Sequence, residues 1–79
     1  MRVRLRFFAA LREEMGARRE RTLPAGTSVG ALWRELVDEQ PRLAAVKVRF
    51  AVNETYVPAA HQLADGDEVA FFPPVSGGL

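Results

Sequence analysis

The side chains able to do chemistry are few, and their spacing does not combine them. The chain has no cysteine, one histidine (His61) and only Ser28 and Ser76 as serines, so neither a thiolate nucleophile nor a Ser-His-Asp arrangement has its parts. The same counts remove disulfides, thiolate zinc sites and imidazole clusters. No Gly-x-Gly or Gly-Lys-Ser/Thr stretch runs from a strand into a helix, so the backbone cradle for a phosphate is missing. Asp65, Asp67 and Glu68 cluster around Gly66 and admit a Ca²⁺ site, but Asp-Gly-Asp leading into an apolar run reads first as a tight turn. His61, beside Gln62 in a polar connection, reads as a surface residue rather than a general base.

The C-terminal segment differs in kind. Phe71-Phe72-Pro73-Pro74-Val75 is stiff and apolar, whereas Ser76-Gly77-Gly78 is nearly free of side chains. Proline restricts φ and lowers the entropy lost when a segment docks. Glycine lets a backbone enter a channel where any Cβ would clash. Fully extended, Pro73 to Gly78 spans about 20 Å. Such a segment suits delivery of a carboxyl group into another protein's active site; the competing reading is a frayed terminus.

The remaining residues must form the body that presents this tail. A length of 79 residues with 48% apolar and 27% charged side chains fits one domain, residues 1–79, globular over 1–72 and extended over 73–79. A chain of this size buries only ~60–65% of its unfolded surface, so regular elements and a well-patterned core must carry its stability. Eleven Lys and Arg against ten Asp and Glu leave a net charge of +1, too little surplus for a nucleic-acid surface. The apolar run Phe7 to Leu11 is too short for a membrane span or a signal h-region, so a cytoplasmic protein without a membrane partner is expected.

Met1 to Phe8 alternates, with Arg2, Arg4 and Arg6 on one face and Val3, Leu5 and Phe7 on the other, the pattern of a half-buried strand. The Arg stripe reads as a solvated sheet face, with a partner-facing stripe as the alternative. Ala9 to Met15 predicts a short helix or turn closed by Gly16, and Arg18 to Leu23 a second strand ending at Pro24 and Gly26. Thr27 or Ser28 caps the main helix, whose stripe is Val29, Leu32, Trp33, Leu36 and Val37, and Pro41 stops it. Val46 to Val52 predicts a third strand, Asn53-Glu54 a tight connection, Thr55 to Val57 a fourth strand, and Glu68 to Phe72 the last. Within that last strand Phe71 and Phe72 point to opposite faces, so one of them is free for an interface. The order β-β-α-β-β-β predicts an α+β β-grasp, or ubiquitin-like, fold. In it, one main helix covers a mixed four- to five-stranded sheet whose first and last strands pair in parallel at the centre.

Several stretches carry a resemblance. Phe7-Phe8-Ala9, Leu11-Arg12-Glu13, Gly16, Ala51-Val52-Asn53 and above all the block from Leu63 to Gly78 resemble the small subunits of molybdopterin synthase, ubiquitin-like sulfur carriers of molybdenum cofactor biosynthesis. The resemblance spans essentially the whole chain. It implies that Gly78 is the reacting residue. A ubiquitin-activating-like adenylyltransferase, using Mg-ATP, adenylates its carboxyl, and sulfur from a donor enzyme then replaces AMP to give a thiocarboxylate. The large synthase subunit, in a heterotetramer, accepts the tail and passes the sulfur to cyclic pyranopterin monophosphate. Phe72, Pro73, Pro74 and Val75 would dock the partners, with Ser76 and Gly77 as the slim segment that enters the channel. No cofactor or metal would be held by the chain itself. Carriers serving thiamine or tRNA thiolation, a ubiquitin-like protein modifier and a plain interaction domain are the alternatives. The sequence departs from the family at Leu79, which follows Gly78 and implies trimming before activation.

Overall fold

The computed structural model describes residues 1–73; 74–79 lie outside the described residues. The chain runs β1 (Arg2–Phe7), α1 (Ala10–Met15), β2 (Arg18–Thr22), α2 (Val29–Glu39), a 3-10 turn (Pro41–Ala45), β3 (Arg49–Val52), β4 (Thr55–Val57) and β5 (Glu68–Phe72). The five strands form one sheet in the order β2-β1-β5-β3-β4. β1 and β5 pair in parallel at its centre, and the other pairs are antiparallel. This is the β-grasp expected from the element order.

The alternation in β1 decides which face is buried. Val3, Leu5 and Phe7 lie inward and are almost fully covered, whereas Arg2 and Arg4 are exposed. α2 crosses the inner face through Val29, Leu32 and Leu36, with Trp33 and Val37 half-buried at the margin of the stripe. Ser28 is the N-cap, its Oγ accepting from the Ala31 amide at 3.1 Å. Thr27 Oγ1 instead donates to the Pro24 carbonyl. Phe71 anchors the centre: its ring stacks on Phe7 at 5.2 Å and meets Phe50 edge-on at 5.9 Å and Trp33 at 5.4 Å. Such aromatic contacts add ~0.5–1.5 kcal/mol each beyond the area they bury.

The main departure from expectation is the third strand, which begins at Arg49 rather than Val46. Pro41–Ala45 forms a 3-10 turn, and the Val46 amide donates to Leu43 O at 3.0 Å, tying Val46 to that turn. The pairing of β3 with β5 stops at Arg49↔Phe72, and the Pro73 that follows has no N–H to extend the ladder. Val46 and Val48 still pack against the core, which explains their apolar alternation. β1 and β2 each end slightly inside the expected limits.

The Asp-Gly-Asp turn is a junction. Gly66 adopts φ +86°, its amide donates to Arg2 O at 2.7 Å, and Asp65 Oδ1 accepts from the Arg2 amide at 2.7 Å. Asp67 Oδ2 accepts from the Ala64 amide and Oδ1 from Asn53 Nδ2, while Asn53 Oδ1 accepts from the Glu68 amide. The cluster therefore clamps the start of β5 to β1 and to the β3–β4 turn.

Candidate docking face and tail root

The outer face of the sheet is open. Parity along β5 places Phe71 inside, fully buried, and Phe72 outside and half-buried, as expected of neighbours on a strand. Phe8 continues the outward series of Arg2, Arg4 and Arg6, and its ring stacks on Phe72 at 4.6 Å between centroids and 11° between planes. Tyr56 from β4, 61% exposed and the only large hydrophobic side chain so exposed among the described residues, lies 5.9 Å from the Phe72 ring. Three rings from three elements thus form a strip across the face, with Phe72 in the middle.

Beside the strip runs a groove of about 230 Å³. Its floor contains Ala51 and Ala70, cross-strand partners in the register, and its sides include Phe8, Tyr56 and Phe72 with Glu54 and Glu68. The small residues at the floor create the depression; a larger side chain at either position would fill it. Phe72, the middle ring of the strip, is also the last residue of the central strand β5, and Pro73 follows it as the last described residue.

Of the residues expected to bind partners or react, Phe72 takes its place on this face and Pro73 follows it, half-buried. Pro74, Val75, Ser76, Gly77 and Gly78 lie outside the described residues. Sequence reasoning did not single out Phe8 as a docking residue, although it shares the parity of the outward arginines. Tyr56 was missed because its place beside Phe72 depends on the register β4-β3-β5, with Ala51 paired to Tyr56 on one side and Ala70 on the other.

No self-contained catalytic arrangement appears among the described residues. His61 is half-buried, its backbone carbonyl accepts from Val29 and its amide donates to Pro58 O, so its main chain secures the start of α2. Among the described residues no group of three or more His, Cys, Asp or Glu side chains is placed to hold a metal ion. At the Asp-Gly-Asp turn, both Asp67 oxygens and one Asp65 oxygen already accept hydrogen bonds. Among the described residues no helix is long and apolar enough to cross a membrane.

A central parallel pair of first and last strands, antiparallel neighbours on either side and the helix α2 packed across one face define the ubiquitin-like β-grasp class. The similarity extends to a ubiquitin from Caldiarchaeum subterraneum, with a TM-score of 0.66 at 16% identity over 99% of this chain and 98% of that one. The model of the ThiS family matches residues 5–78, and the chain belongs to that family. It is 40% identical to the molybdopterin synthase sulfur carrier subunit of Escherichia coli over 96% of this chain and 99% of that protein. Identity to the subunit of the same description in Mycobacterium tuberculosis is also 40%, over 99% of both. Among solved structures, small archaeal modifier protein 1 of Haloferax volcanii superposes with a TM-score of 0.81 at 26% identity, covering 94% of this chain and 98% of that one. A protein–protein complex of subunits 1 and 2 of molybdopterin-converting factor from Helicobacter pylori gives a TM-score of 0.70 at 25% identity, covering 99% and 100%.

Proposed function

We infer that the chain is a sulfur carrier of molybdenum cofactor biosynthesis that works with the large subunit of molybdopterin synthase. The observation that carries this reading is the reach of the family match, which runs through the tail to Gly78 rather than stopping at the folded body. The relatives named as sulfur carrier subunits and the subunit 1–subunit 2 complex support the same reading.

In the proposed cycle the Gly78 carboxylate oxygen attacks the α-phosphorus of Mg-ATP on an adenylyltransferase, releasing pyrophosphate. The acyl-adenylate gives a poor electrophile a good leaving group. The terminal sulfur of a persulfide on a donor enzyme then attacks the acyl carbon and AMP departs; a thiol cleaves the resulting acyl disulfide, forming a disulfide with the donor's sulfur and releasing the thiocarboxylate. Phe72 and Pro73 would seat the tail root on each partner, and Pro74 and Val75 would keep the segment extended. Ser76 and Gly77 would offer only backbone hydrogen bonds inside the channel. Acid, base and substrate-binding groups then belong to the partner, consistent with an active-site-poor carrier. In the sequence Leu79 follows Gly78, so the Gly78 carboxyl is held in a peptide bond, and hydrolysis of that bond must precede adenylation. The carrier would work in the cytoplasm, where ATP is available to the activating partner.

The test is reconstitution: trimmed, thiocarboxylated carrier plus a competent large subunit converts cyclic pyranopterin monophosphate to molybdopterin. Failure to convert, with sulfur delivered instead to a thiamine precursor or a tRNA, would move the acceptor. A second reading rests on the likeness to small archaeal modifier protein 1. In it the activated Gly78 acylates a lysine amine on another protein, and recovery of Gly78-linked isopeptides in place of thiocarboxylate would favour it.

A further inference from the structure

The two ends of the aromatic strip are each held by an arginine. The Arg6 guanidinium carbon lies 5.1 Å from the centre of the Phe8 ring, and that of Arg49 lies 4.7 Å from the centre of Tyr56. Stacking uses the flat face of a guanidinium and leaves its in-plane N–H donors pointing outward. Among the described residues neither guanidinium makes a hydrogen bond. Arg6 has only a loose ion pair, 3.9 Å from Glu68 with its side chain 38% exposed, and Arg49 forms no ion pair among the described residues. Arg21 and Arg42, by contrast, hydrogen-bond to glutamates, and Arg2 does so with Glu20 at 2.6 Å.

We propose that Arg6 and Arg49 are specificity determinants of the docking face, reading a partner protein surface that carries an apolar centre flanked by two carboxylates. This rests on the docking role assigned above to the strip and adds what the partner must present. Charge complementarity argues for that occupant. The centre of the face offers rings and an alanine-floored groove, which favour apolar side chains, with Glu54 and Glu68 at its sides, while each end offers a guanidinium, a bidentate donor suited to Asp or Glu. Contact with a ring restrains each of these arginines before encounter, so less side-chain freedom is lost on binding. The pairing would act mainly on association rate and on the rejection of partners that present lysine or arginine at those places.

The experiment measures association of the full chain with the large synthase subunit from the same genome, across a range of salt concentrations. Arg6→Gln and Arg49→Gln, singly and together, are compared with Arg34→Gln, which removes one formal charge, as each single variant does, from the exposed side of α2. The expected result is a drop of about tenfold in association rate at low salt for the double variant, with a flatter salt dependence. Arg34→Gln should stay near the parent. Lysine at positions 6 and 49 should restore the salt dependence but only part of the affinity, because the planar fork is lost. Phe72→Ala separates the two levels. If it binds as the parent does, the docking role of the face fails and the arginine proposal with it. If it weakens binding while the double glutamine variant matches Arg34→Gln, only the arginine proposal is overturned. Concentration-dependent dimers of the free chain, abolished by Phe72→Ala and indifferent to both arginines, would overturn it in favour of a second copy as occupant.

Discussion

Phe71 and Phe72 are neighbours in β5 yet serve opposite sides of the sheet: Phe71 is wholly covered between Phe7, Trp33 and Phe50, whereas Phe72 stacks on Phe8 in the open. The strand therefore commits one of two adjacent rings to the core and leaves the other on the outer face, where the proposed docking would use it. Phe71→Ala should cost about 3–5 kcal/mol, close to the whole stability of a small domain, and Phe71→Leu a smaller, measurable part. Phe72→Ala should lower stability by less than about 1.5 kcal/mol, while weakening binding to the large subunit tenfold or more. Denaturant titration and a binding isotherm on the same samples check both.

Backbone strain gives a second prediction. Ala9 sits at φ 54°, ψ −131°, between the outward Phe8 and α1, in a region that suits glycine. Asn53 and Glu54 both have positive φ, 49° and 72°, the geometry of a two-residue hairpin turn that prefers Asn-Gly. Ala9→Gly and Glu54→Gly should each raise stability by about 0.5–1 kcal/mol, read as an increase in Tm.

Much of this fold was legible in the sequence because its signals are local. The alternation of β1, the stripe from Val29 to Val37 and the Asp-Gly turn each report their own element, and their order admits few ways of burying the apolar faces. The start of β3 was not legible, since Val46 and Val48 alternate as a strand does while packing from the link between the 3-10 turn and β3; the length of β5 decides where pairing stops. The docking face was half legible. Phe72 follows from parity on one strand, but its grouping with Tyr56 and Phe8 depends on cross-strand register, and so do the positions of Arg6 and Arg49 over the rings.

Gly30 tests the packing at the start of α2. A Cβ there would meet the Ala59 Cβ at 2.9 Å and its carbonyl oxygen at 3.0 Å, while the Gly30 amide donates to that same carbonyl at 2.8 Å. Gly30→Ala should therefore destabilise by about 1–3 kcal/mol despite alanine's better helix propensity. Thermal unfolding is the readout.

The Asp67 carboxylate supports a junction rather than a cation, because its two oxygens accept from the Ala64 amide and from Asn53 Nδ2. Asp67→Ala should cost about 1–2 kcal/mol by leaving those donors unpaired. Adding Ca²⁺ or a chelator to the parent should leave Tm unchanged.

The central claim concerns one carbon, and Gly78→Ala should abolish sulfur transfer without moving Tm. Intact mass spectrometry of the protein purified from its native host tests the claim most directly. The account predicts a species that has lost Leu79 and carries one sulfur in place of one oxygen, with the substitution mapping to Gly78. A native pool that always keeps Leu79 and never gains sulfur would contradict it.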